Sequence, residues 1–134
     1  DPAQHAVAQP GAIPAELVNF ARESLQKALK NPHLLDSLLG EYLTEPKAHV
    51  WFDVAEQAGD LSAGVVLDRR TRMMYDDRHI FINGESFRVA GRDARLLRAL
   101  ADTRSLNSQQ VKALSDDALG ALDEWQADGW LKTL

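Results

Sequence analysis

The stretch His79-Ile80-Phe81-Ile82-Asn83-Gly84-Glu85-Ser86-Phe87-Arg88-Val89 constrains this chain more than any other, because Asn-Gly separates two runs of β-branched and aromatic residues. Asn and Gly both accept the positive φ values of a type I′ turn, whose twist matches the strands it joins, so a two-residue hairpin is predicted. Loop length fixes the register: Ile82 faces Glu85, Phe81 faces Ser86, Ile80 faces Phe87 and His79 faces Arg88. Alternation then places Ile80, Ile82, Phe87 and Val89 on one face, and His79 on the other, at the surface. An isolated hairpin is marginal in water, so the rest of the chain must cover its apolar face.

Pro14 sits where a helix opens, and Leu17, Phe20, Ala21, Leu25, Ala28 and Leu29 follow at spacings of three and four. Asn31-Pro32 ends that helix, since the residue before proline is pushed out of the α region. A second short helix carries Leu35, Leu38, Leu39 and Tyr42 on one face and closes at Thr44-Glu45-Pro46. Farther on, "HVWFDV" (49–54) reads as a strand or extended packing segment, and "GVVLD" and "RMMY" as short strands. Beyond the hairpin, a helix opened by Asp93 carries Leu96, Leu97, Leu100 and Ala101. Ser108 is expected to cap a helix with Val111 and Leu114, and Ser115 one with Leu119, Leu122 and Trp125. Gly129 ends the last helix and "WLKTL" forms a terminal strand. The fold class is α+β: a helical N-terminal region, then a winged-helix-like domain with a small antiparallel sheet. The expected division is a tail or linker over 1–12, a helical region over 13–46, a connecting segment over 47–64 and the winged-helix-like domain over 65–134.

At 134 residues the chain has room for one substantial core or two small ones. No apolar run approaches the ~20 residues of a membrane helix, so no membrane partner is expected. Asp1-Pro2-Ala3-Gln4 has neither an initiator Met nor a leader-like pattern and is expected to begin a fragment. The absence of cysteine removes disulfides, thiolate nucleophiles and Cys-based zinc sites, and fits a reducing, cytoplasmic compartment.

Asp76, Asp77 and His79 raise the question of a metal site or a small metal-dependent enzyme. Arg88 opposite His79 disfavours a second cation, and Asp is common in turns, so a turn with a surface histidine is the favoured reading. The residues two after His5, His33, His49 and His79 are Val7, Leu35, Trp51 and Phe81, so no His-x-Asp or His-x-Glu opens an iron triad. No His-Glu-x-x-His, phosphate-binding glycine loop or nucleophile elbow occurs, and Ser62, Ser105 and Ser108 have turn or cap contexts. No catalytic, cofactor-binding or metal-ligating residue is therefore assigned.

The net charge is -5, and the helix that a winged helix would insert into DNA, "DDALGALDEWQAD" (116–128), has five acidic residues and no Lys or Arg. Such a surface repels phosphates, and no nucleic-acid partner is expected. Arg92, Arg95, Arg98 and Arg104 read as a solvated face with local ion pairs. Trp51, Trp125 and Trp130 read as core or interface anchors.

Two blocks, "GEYLTEPKAHVWFD" (40–53) and "RMMYDDRHIFINGESFRVAGRDARLLRALADTRSL" (72–106), resemble the C-terminal part of the bacterial ribosomal oxygenases. These are JmjC-type cupin proteins that hydroxylate an arginine of a large-subunit ribosomal protein. The likeness spans about residues 13 to 131. It implies iron(II) and 2-oxoglutarate in a catalytic barrel that matches no position here, a helical dimerisation region, and an acidic winged helix. The expected partners are a second copy of the chain and, through the parent protein, a ribosomal protein. Candidate dimer-interface residues are Leu17, Phe20, Leu25, Leu35, Leu38 and Leu39. The alternative is a dimeric winged-helix transcription regulator or another protein-interaction module.

Overall fold

In the computed structural model, residues 11–55 and 57–134 are described, Ala28 as backbone only. The tail expected over 1–12 lies, except for Gly11 and Ala12, outside the described residues. The chain divides into two compact units, one ending at Asp36 and the other running from Ser37 to Leu134.

In the first unit, helix α1 (Ala15–Lys30) starts where the carbonyl of Pro14 accepts from the N–H groups of Leu17 and Val18, at 3.1 and 3.2 Å. Helix α2 (Pro32–Thr44) begins in this unit and from Ser37 onward belongs to the second; Asn31 caps it, its Oδ1 accepting from the N–H groups of His33 and Leu34.

The second unit holds two antiparallel three-stranded sheets where one small sheet is expected from sequence. Strand β1 (Gly64–Leu67), entered through a 3-10 turn at Leu61–Ala63, is the centre of the first. It pairs with β5 (Ser105–Asn107) and with the terminal β6 (Leu131–Thr133). The order β5-β1-β6 brings together strands far apart in sequence, and that distance is why β5 escapes a local reading. The second sheet is β2 (Met73–Tyr75), β3 (His79–Ile82) and β4 (Glu85–Arg88), in that order. The β3–β4 register is the one expected. Asn83 and Gly84 have φ values of 47° and 90°, the left-handed pair that a type I′ turn requires.

Helices α3 (Gly91–Thr103), α4 (Ser108–Lys112) and α5 (Asp116–Ala127) pack on these sheets. Helix α3 begins two residues before Asp93, whose carboxylate instead accepts from the N–H and hydroxyl of Ser115. Asn107, not Ser108, caps α4, in a reciprocal pair with Gln110. Ser115 caps α5 as expected, its Oγ accepting from Ala118 N–H. The core is built from Val65, Leu67, Ile80, Ile82, Leu97, Leu100, Leu106, Leu122, Trp125 and Leu131. Phe87 meets Trp125 edge to face, with ring centroids 5.5 Å apart.

Residues 49–54 are not a strand. Arg70 takes the place of a ladder there: Nη1 donates to the Trp51 carbonyl at 2.6 Å, Nη2 meets Asp53 at 3.2 Å, and the guanidinium lies over the Phe52 ring. Side-chain contacts fix this segment, so its β-like composition never enters a sheet, and Trp51 is left 79% exposed.

Candidate interaction surface

Every large apolar side chain of α1 is exposed. Phe20 is 69% exposed, Leu25 63% and Leu29 72%, with Leu17 and Val18 at the margin of exposure. On α2, Leu35, Leu38, Leu39 and Tyr42 are exposed as well. All six residues singled out from sequence therefore face solvent. Each would contribute roughly 1.5–3 kcal/mol if fully buried, and soluble chains rarely leave such a concentration uncovered.

His79 is where the structure corrects the sequence reading. It does occupy the hairpin face opposite Ile80 and Ile82, but that face is not surface, and the residue is only 7% exposed. The part of α2 from Ser37 onward lies over it. Gly40 is pressed so closely on the Phe81 ring that a Cβ there would overlap it. Thr44 Oγ1 accepts from the N–H of Gly84 at 3.0 Å, and Ser86 Oγ donates to Glu41 at 2.6 Å. A small residue and three polar ones at helical spacing in α2 carried this signal, but composition alone does not assign them to a hairpin.

The His79 ring stacks on Phe81, its Nδ1 lies 3.1 Å from Asp76 Oδ1, and its Nε2 lies 3.3 Å from Ser37 Oγ. Burial pushes the Asp76 carboxyl up, but hydrogen bonds from the N–H groups of Arg78 and His79 and from the His79 ring outweigh it, holding the group below its ordinary value. Asp-His-Ser is the order of an acyl-transfer relay. Ser37, however, lies in the middle of α2, where neighbouring N–H groups are spent on helical bonds and none is left to hold an oxyanion. The arrangement fastens helix to hairpin. Arg88 stands across from His79 in the ladder, yet the imidazole's partners are a carboxylate and a hydroxyl.

Among the described residues no three of His, Asp and Glu converge to hold a metal ion, so the iron implied by the resemblance finds no fitting donor set here. The arginines of α3 are only partly a solvated face. Arg98 donates to the Asp77 carbonyl at 3.0 Å and lies over Tyr75, and Arg104 donates to the carbonyls of Asp68 and Thr71. These two guanidinium groups close turns, and among the described residues neither forms an ion pair. On α5, Asp116, Asp117, Asp123 and Glu124 are exposed, with Asp128 just beyond. Glu85 has its carboxyl raised, first by burial and then by the negative charges of Asp128 and Glu124. Trp125 is core, and no described helix is long and apolar enough to cross a membrane.

Known structures share this architecture. The structure of YcfD, a ribosomal oxygenase from Escherichia coli, in complex with cobalt and succinic acid superposes with a TM-score of 0.68 at 19% identity, covering 98% of this chain and 39% of that one. A second Escherichia coli ribosomal oxygenase YcfD structure gives 0.67 at 20% identity with the same coverage. The complex of YcfD with cobalt and 2-oxoglutarate gives 0.66 at 16%. The chain thus spans less than two fifths of the length of these proteins. No curated protein sequence matches it. The family profile described as ROXA-like winged helix matches residues 25–132, most of the chain, and the chain belongs to that family.

Proposed function

We propose that this chain is the non-catalytic, self-associating and substrate-presenting C-terminal part of an iron(II)- and 2-oxoglutarate-dependent ribosomal protein arginine hydroxylase in the cytoplasm. The observation that carries the reading is the uncovered apolar side of α1 and α2, which a second copy would bury. The likeness to ribosomal oxygenases, one of them bound to cobalt and 2-oxoglutarate, supports the parentage. Iron and 2-oxoglutarate belong to a catalytic domain outside this chain, and no step of the reaction is carried by the residues here.

The acidic face of α5, with Glu85 beside it, would attract a basic ribosomal protein, since long-range attraction raises encounter rates at modest salt. Light scattering at micromolar concentration tests the assembly: twice the chain mass is expected, and a monomer at all concentrations defeats it. A gel shift with mixed-sequence duplex DNA tests the transcription-regulator alternative. No complex is expected at physiological salt, because α5 has no Lys or Arg to release counterions from phosphates.

A further inference from the structure

Resting on the reading of the acidic α5 face and deepening it, we infer that the outer edge of β4 takes an extended basic segment of a partner protein as an added strand, with an apolar side chain of that segment in the cleft beside β4 and α5. The sheet order β2-β3-β4 puts no strand beyond β4. Along an antiparallel pair, hydrogen-bonded and non-bonded residue pairs alternate. The two-residue turn makes Ile82–Glu85 a bonded pair, so Ile80–Phe87 is bonded as well, and His79–Arg88 and Phe81–Ser86 are not. The next bonded pair fits this phase, since the Val89 N–H donates to the Arg78 carbonyl at 3.1 Å. The N–H and C=O groups of Ser86 and Arg88 therefore point away from β3, and among the described residues they have no backbone partner. An open row of ladder groups is a template for another strand.

Beside this edge lies a cleft of about 250 Å³. Leu97 and Trp125 line it as buried residues, Phe87 and Val89 as half-buried ones, with Asp93 and Asp117 as its carboxylates. It has room for a leucine-sized side chain, and alternate residues of an added strand face the same side of the sheet. Charge then selects the occupant. Helix α5 and Asp128 after it carry five carboxylates and no cation. Asp117 reaches the cleft, and at the turn end of β4 the Glu85 carboxyl is raised, first by burial and then by the charges of Asp128 and Glu124. Carboxylates thus flank the edge at both ends, and among the described residues Arg88 is the one cation lining the cleft. A lysine- or arginine-rich strand relieves this crowding of like charge, and an acidic one adds to it.

The test uses the 134-residue chain and a short peptide alternating lysine with valine, titrated by fluorescence polarisation at low salt and followed by amide hydrogen exchange. Saturable binding is expected, with the Ser86 and Arg88 amides protected in the complex. The same peptide methylated at every backbone nitrogen keeps its charges and cannot enter a ladder, and it is expected to bind about tenfold more weakly. A glutamate–valine peptide is expected not to bind, and D117K to weaken the lysine peptide about threefold. Equal binding of the methylated peptide with both amides unprotected overturns strand addition, while the attraction of α5 for basic partners stands. Failure of the lysine peptides to bind at all removes that attraction and the inference with it. Equal binding of the acidic peptide overturns the choice of a basic partner. Protection of the two amides that rises with protein concentration in the absence of peptide gives the edge to a second copy, and that too overturns the proposal.

Discussion

His79 and Asp68 are both buried, and each is held by side-chain partners. With both imidazole nitrogens engaged and the ring shielded by Phe81 and α2, His79→Ala removes two hydrogen bonds and leaves Asp76 and Ser37 facing a void. A loss of about 1–3 kcal/mol is expected in urea unfolding, well beyond the ±0.5 kcal/mol typical of a surface change. Asp68 is buried and accepts from Arg70 Nε at 2.8 Å, and this bond in particular lowers its carboxyl from 3.8 to about 2 against the opposing effect of burial. The folded carboxylate binds a proton more weakly than the unfolded one. Its stabilisation is therefore complete above about pH 4 and disappears as the pH falls through about 2. Asp68→Asn is expected to cost about 2 kcal/mol at neutral pH and to flatten acid unfolding in that window. Sequence shows both residues plainly. What it withholds is the neighbour, since Ser37 lies 42 positions from His79.

Among the elements, the hairpin is the one most fully written in local sequence, because Asn83 and Gly84 are intrinsically suited to their backbone angles. The cover over its second face is not local. Two glycines make the contrast measurable. In α5, Gly120 has open space around its Cα, so Gly120→Ala is expected to stabilise by about 0.5–1 kcal/mol through helix propensity alone. In α2, Gly40→Ala drives a methyl group into Phe81, and a net loss of about 1–3 kcal/mol is expected despite the same propensity gain. Thermal unfolding of the two variants under one set of conditions should give shifts of opposite sign. A periodicity argument cannot separate these glycines, as both interrupt helical patterns. Of the two readings of 49–54, strand or extended packing segment, the second holds for a related reason: β-branched and aromatic residues fit a pleated surface, but here Arg70 holds the backbone and Phe52 packs beside Trp130.

For the whole molecule, exposure changes what a disruptive substitution means. An apolar helix stripe is usually packed within its own subunit, and Leu25→Arg would then unfold the chain. Leu25 is 63% exposed, so Leu25→Arg is expected to leave dilute protein folded, with circular dichroism unchanged, while abolishing the concentration dependence of the melting temperature. The sequence by itself determined the hairpin and its register, the helix starts at Pro14 and Ser115, the α+β class and the acidic character of α5, because turn chemistry, capping, periodicity and net charge act over a few residues. Only the tertiary structure decided that β1 joins β5 and β6 into a sheet, that His79 lies beneath α2, and that the stripe of α1 stays uncovered. These depend on which surfaces meet across long stretches of chain, and a hydrophobic pattern states that a face needs covering without naming the residues that cover it.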